Sequence, residues 1–151
     1  DCYGALSLDI IASRCEVPEG ARLAVCLNAF RQKIYTRFYR NQKGILSAVK
    51  TPRVLTFEEL ASAVPDGVYL AGDALVRFQK DFEALCRKKN ARILPRRFWY
   101  PAASAMIDDL IRPSRGASRR SFLEKFDKPR DFLPLYFRLS EAEEKGRKVK
   151  A

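Results

Sequence analysis

From Leu23 to Tyr39 the chain alternates in steps of two. Leu23, Val25 and Leu27 interleave with Ala24, Cys26 and Asn28; after a break at 29–33, Ile34, Thr36 and Phe38 interleave with Tyr35, Arg37 and Tyr39. A period of two places successive side chains on opposite faces of a strand, and both runs are rich in residues that favour strands. The break is too short for a crossover helix, so the two strands are expected to pair antiparallel, with the first at the centre of the sheet. The break holds no Gly or Pro, and its turn type is not legible. Asn41-Gln42-Lys43-Gly44 reads as a second turn, with Gly44 supplying a positive φ, and Ile45 to Val49 as a third strand beside the second. Pro52 marks a break, followed by a short extended piece at 53–55.

The pattern then changes. Thr56-Phe57-Glu58-Glu59 has the spacing of a capping box, and Phe57, Leu60 and Val64 lie on one helical face, closed by Pro65-Asp66-Gly67. Val68 to Ala71 is short, apolar and bounded by turn residues, as a buried strand would be. Ala74 to Lys89 reads as one amphipathic helix with Leu75, Phe78, Phe82, Leu85 and Cys86 inward, and Arg87, Lys88 and Lys89 at its carboxyl end complement the helix dipole. A strand at 91–94 follows, then a helix with Pro101 in its first turn and a stripe of Ala102, Ala103, Met106, Ile107, Leu110 and Ile111. Before the central strands, Leu6 to Ala12 reads as a short helix with Asp9 facing out, and 15–22 as a loop. Residues 114–130 read as a long basic loop in which Phe122 and Phe126 anchor a helical turn, 133–139 as extended, and 140–151 as a charged tail. An antiparallel meander followed by strand, helix, strand, helix, strand implies an α/β fold with a mixed sheet and helices packed on it, in a single domain over 1–139.

Composition narrows the chemistry. The 151 residues contain no His, which removes imidazole acid–base catalysis by this chain, and four Cys without the spacing of a zinc site. Cys26 and Cys86 read as buried thiols, which fits a reducing compartment. No apolar run is long enough to span a membrane, and the first residues lack the pattern of a signal peptide, so the expectation is a cytoplasmic protein. The first residue is Asp, which suggests a fragment or a processed chain. The net charge is +11, and thirteen Lys or Arg face only four acidic residues between Arg87 and Arg130, a local net of +9. Such a field attracts polyanions.

Candidate sites follow from that charge. Arg96 and Arg97 stand beside Phe98, Trp99 and Tyr100, while Arg115, Arg119 and Arg120 lie in the basic segment and Arg138 in the last extended piece. Guanidinium groups pair with phosphates and aromatic rings stack on unpaired bases, so these residues are candidates for RNA or partner contact. Trp99 reads as a core residue rather than a stacking platform. Gly72-Asp73 after a strand resembles half of a nucleotide-site signal, but no phosphate-binding glycine loop accompanies it and it reads as a turn. Asp108 and Asp109 are adjacent and do not share a helical face. No complete active site, metal site or cofactor site is visible.

The ordered pieces resemble the TsaB (YeaZ) family. The hairpin is similar to that family's I-D-A-R-R-G-E-V-Y segment, Gly72-Asp73 to its turn after a buried strand, and Tyr100-Pro101-Ala102 to its P-x-A helix start. Pro134 to Arg138 followed by Ser140-Glu141-Ala142-Glu143 resembles its terminal P-x-Y-L-R-x-S-E-A-E signature. Asn28, Phe30, Gln32 and Lys33 depart from the family's Asp, Arg, Gly and Glu in the hairpin, so the hairpin reads as scaffold rather than site. The resemblance covers nearly the whole chain and corresponds to the second half of a family member. It implies a ribonuclease-H-like, actin-like domain that is itself non-catalytic and binds no cofactor. It also implies partnership with a TsaD-like catalytic subunit and a TsaE-like ATPase, and a homodimer of the full-length protein. The ATP-using assembly makes N6-threonylcarbamoyladenosine at position 37 of tRNA. The competing expectation is a small RNA-binding module acting through Arg96, Arg97, Arg115, Arg119 and Arg120.

Overall fold

The computed structural model describes residues 2–111 and 123–126. Its main sheet begins with the predicted hairpin, β2 (Arg22–Asn28) and β3 (Lys33–Gln42), paired antiparallel from Arg22 opposite Arg40 to Asn28 opposite Ile34. A two-residue turn at Lys43 and Gly44, both at positive φ, leads to β4 (Ile45–Ala48) on the far edge of β3. The Glu19 carboxylate accepts the backbone N–H groups of both turn residues, at 2.8 and 3.2 Å. After Pro52 the chain rejoins the same edge as β5 (Arg53–Thr56), so two short strands cover β3 end to end.

The capping box at Thr56 forms as its spacing predicts. The Thr56 hydroxyl accepts the Glu59 N–H, and the Glu59 carboxylate accepts the Thr56 N–H at 2.7 Å. Helix α2 (Phe57–Ala63) carries the chain across to β6 (Tyr69–Ala71), which lies parallel to β2 on the side away from β3. Two further helices lead to β7 (Arg92–Ile93), parallel to β6. The strand order is therefore β4-β3-β2-β6-β7, with β5 also on β3: an open mixed sheet with β2 at its centre.

Helices cover both faces, and this explains why β2 is apolar at every position from 23 to 26. Ala24 and Cys26 face a core built with Leu60, Val64, Leu70, Phe78, Phe82 and Leu85 on the side of α2 and α4 (Gln79–Lys89). Leu23 and Val25 face the opposite core, with Leu8, Ile11 and Ala12 of α1 (Ser7–Arg14). An alternating signal survives in a strand buried on both sides because the small residues, Ala24 and Cys26, fall on one face and the larger Leu23 and Val25 on the other.

Four expectations change. The predicted helix over 74–89 is two, α3 (Ala74–Arg77) and α4 (Gln79–Lys89), broken at Phe78 with φ −110° and ψ 34°. No Gly or Pro marks the break; tertiary packing places it, with Phe78 and Phe82 both against the Phe57 ring, at centroid distances of 6.1 and 5.2 Å. Asp9 does not face out. Arg37 Nη1 lies 2.7 Å from Asp9 Oδ2, and the Tyr39 hydroxyl donates to Oδ1 at 2.6 Å, tying α1 to the outer positions of β3. Helix α5 (Ala103–Ile111) starts two residues after Pro101 and lies against α1, with Ile107 and Ile111 exposed rather than packed. Finally, Glu124–Phe126, placed in the basic loop, is strand β8, antiparallel to β1 (Cys2–Gly4). Phe126 is thus in an extended segment and not a helical turn; its pairing partner is at the other end of the chain, and nothing local signals it. Residues 114–122 and 127–130, the extended piece at 133–139 and the tail lie outside the described residues.

Gly72 fixes the position of β6. At φ +115° it lies so close to β2 that a Cβ there would sit 2.1 Å from the Cys26 carbonyl oxygen. Any side chain must push the backbones apart. Gly67, by contrast, has positive φ and open space around it. Gly72→Ala is expected to cost at least ~4 kcal/mol or to prevent folding, and Gly67→Ala about 1 kcal/mol. Urea denaturation of the two variants checks this; equal costs would contradict it.

Candidate functional site

The carboxyl ends of β2 and β6 are where the sheet leaves room for chemistry. From β2 the chain departs toward β3, and from β6 it departs the other way, toward β7. Loops that diverge from adjacent parallel strands leave a crevice at their carboxyl ends, the usual ligand position in open α/β sheets. Here the crevice is a cleft of about 450 Å³ lined by Asn28, Asp73, Val76, Arg77 and Tyr100. That volume falls in the range of small-molecule sites.

Each wall has a structural origin. Asn28 is the last residue of β2, and its backbone N–H donates to Asp73 Oδ1 at 2.8 Å. The bond joins the end of β2 to the turn after β6 and fixes the Asp73 carboxylate. Val76 and Arg77 follow on α3, both exposed. Tyr100 enters from the segment after the Arg96–Phe98 3-10 turn, and its carbonyl accepts a 3.3 Å bond from the Arg14 guanidinium of α1. Among the described residues neither Arg77 nor Asp73 Oδ2 has a further partner. The cleft thus holds one carboxylate, one guanidinium, one amide and an aromatic wall.

The loop beside it is strained. Phe30, Arg31 and Gln32 have φ of 57°, 47° and 58°, three successive non-glycine residues in the left-handed region. Such residues each cost about 1–2 kcal/mol. Local bonds hold them: the Asn28 side-chain oxygen accepts the Phe30 N–H at 3.1 Å, and the Ala29 N–H donates to the Lys33 carbonyl at 3.0 Å. Phe30 is 74% exposed as a result. This is the turn whose type the sequence hid, because the residues that occupy it are not the ones that prefer it.

The predicted arginines fall elsewhere. Arg96 and Arg97 are adjacent and exposed in the 3-10 turn, with the Arg97 guanidinium 4.7 Å from the centroid of the Phe98 ring. Arg92, on the edge strand β7, donates to the Tyr69 hydroxyl at 3.0 Å. Arg115, Arg119, Arg120 and Arg138 lie outside the described residues. Trp99 is half-buried and donates its indole N–H to the Leu94 carbonyl at 2.7 Å, as a core residue would. Of the cleft residues Arg77 carried no sequence signal of a site; Tyr100 belongs to the aromatic cluster beside Arg96 and Arg97, and Gly72-Asp73 borders the cleft.

The cysteines offer little nucleophilic capacity. Burial pushes the Cys15 and Cys26 thiols up to about 12, and Cys86, only partly buried, is raised by the same cause. Thiols with raised pKa are protonated at neutral pH. Among the described residues no group of three or more His, Cys, Asp or Glu side chains could hold a metal ion, and no helix is long and apolar enough to cross a membrane.

The strained turn gives a direct test. Gln32→Gly removes left-handed strain at the cost of extra unfolded-chain entropy, for an expected net gain of about 0.5–1 kcal/mol. Gln32→Val, β-branched, is expected to lose about 1 kcal/mol or more. Equilibrium denaturation reads both; the reverse order would contradict the geometry.

No protein-family model matches the chain, and no curated protein does. Among solved structures, one that it resembles is an uncharacterised protein from Pseudomonas aeruginosa with similarity to the peptidase YeaZ. The two superpose with a TM-score of 0.55 at 22% identity, over 87% of this chain and 56% of that one. This chain therefore spans little more than half the length of that protein. At this identity the likeness is one of fold: a mixed open sheet with packed helices, shared with a YeaZ-like protein.

Proposed function

We propose that this chain is the second half of a YeaZ-like scaffold, and that it serves as a non-catalytic partner subunit in the machinery that makes N6-threonylcarbamoyladenosine at position 37 of tRNA. The observation that carries the reading is the sheet. On one side of the central strand lies β3, antiparallel to it, with β4 and β5 sharing the far edge of β3; on the other side lie β6 and β7, parallel to it, the arrangement of a ribonuclease-H-like or actin-like half. The fold likeness to a YeaZ-like protein over 87% of the chain supports the same reading. So do the hairpin, the Gly72-Asp73 turn and the terminal Pro134 to Glu143 stretch, which occur in the family's order.

In this reading the chain performs no bond-making step. Its sheet holds the fold of one half of a subunit that binds a TsaD-like catalytic subunit, with a TsaE-like ATPase consuming ATP in the wider assembly. The setting is the cytoplasm. The absence of His and the protonated thiols are consistent with a supporting role. A second reading, direct RNA binding, rests on exposed Arg96 and Arg97, the latter held over Phe98.

Capture of the tagged full-length protein from its own cells, with tRNA nucleoside analysis after its depletion, separates the two. The scaffold reading predicts a TsaD-like subunit in the captured material and a loss of threonylcarbamoyladenosine on depletion. Unchanged tRNA and no such subunit would overturn it. Tight tRNA binding by this chain alone, weakening steeply with salt and abolished by Arg96→Ala with Arg97→Ala, would establish the second reading instead.

A further inference from the structure

We propose that the cleft at the carboxyl ends of β2 and β6 binds a small zwitterion, an α-amino acid with an apolar or aromatic side chain. The inference goes beyond the scaffold reading and needs nothing from it. Its basis is the pairing of opposite charges that do not neutralise each other. Asp73 caps the four-residue α3 and Arg77 ends it, four residues on, the spacing that makes side chains neighbours on a helix, about 5–6 Å apart at Cβ. Yet they make no ion pair, because the Asp73 carboxylate is turned to the end of β2, where Oδ1 accepts the Asn28 N–H.

A ligand that satisfies both groups must carry both charges. The Arg77 guanidinium receives a carboxylate through two parallel N–H donors, the geometry in which such pairs are strongest. Asp73 Oδ2 receives an ammonium. A phosphorylated ligand would meet the Asp73 carboxylate without a glycine-rich loop to offset it, and a simple cation would meet Arg77. The remaining walls select the side chain: Val76 and the Tyr100 ring are exposed apolar surface, 51% and 45% accessible, beside the two charges. The cleft volume of about 450 Å³ accommodates an amino acid with its first water molecules.

Three probes test the charge logic on the full 151-residue chain by calorimetric titration. L-phenylalanine carries both charges, L-phenylalaninamide lacks the carboxylate, and N-acetyl-L-phenylalanine lacks the ammonium. L-phenylalanine is expected to bind, and each derivative on the order of tenfold or more weakly, as for loss of one charged hydrogen bond. Arg77 is exposed and without a partner among the described residues, so Arg77→Gln retains the fold, which circular dichroism verifies. In Arg77→Gln, L-phenylalanine binds no better than its amide. In Asp73→Asn, which keeps an oxygen for the Asn28 N–H, it binds no better than the N-acetyl compound. No binding of L-phenylalanine up to ~10 mM, equal binding of the three probes, or discrimination that persists in both variants would overturn the proposal.

Discussion

A glycine lets the turn after one strand lie on the backbone of another, and the sheet depends on that approach. Gly72 sits against Cys26 at a distance no Cβ could occupy. This close passage keeps β6 in parallel register with β2, Leu23 opposite Tyr69 to Val25 opposite Ala71. It also brings Asp73 within 2.8 Å of the Asn28 N–H. These two contacts seat β6 against β2 and shape the cleft at the strand ends. Energetically the cores on the two faces supply most of the stability, since each fully buried Leu, Val or Phe contributes about 1.5–3 kcal/mol relative to exposure. The glycine contributes no burial of its own; it makes the burial possible.

Strain and anchoring recur together at this end of the molecule. Three left-handed residues in the β2–β3 connection are held by Asn28, whose own backbone is held by Asp73. At the opposite end, the β3–β4 turn carries its positive φ values with a glycine and a carboxylate from Glu19, a low-strain solution. Natural chains keep strain where surrounding contacts over-determine it, and such positions concentrate at functional sites. The contrast between the two turns of one meander places the strained one at the β2–β3 end, beside the cleft.

The meander, the capping box and the order of elements were legible because each has a local cause: alternation, a four-residue hydrogen-bond pattern, turn residues at the breaks. What was hidden has a non-local cause. The break at Phe78 follows from the ring of Phe57; Asp9 is turned inward by Arg37 and Tyr39, 28 and 30 residues away; β8 exists through its pairing with β1. The cleft was half legible. Gly72-Asp73 stands out as a turn after a buried strand, whereas Arg77 and Tyr100 reach the cleft only through the folded path of the chain. Arg96 and Arg97 of the predicted cluster are exposed and stand outside the cleft lining, which Tyr100 of the same cluster joins; the charges of the cleft come from Asp73 and Arg77 instead.

Amide hydrogen exchange tests most directly whether the end of β2 is fastened as described. Amides of Val25, Cys26 and Leu27 are expected to exchange only through global unfolding, and the Asn28 amide, donated to Asp73 across the sheet, is expected to be protected well above an exposed loop amide. In Asp73→Ala the Asn28 and Phe30 amides should lose that protection while those of β4 keep theirs. Free exchange at Asn28 in the unaltered protein, or no change on substituting Asp73, would contradict the account.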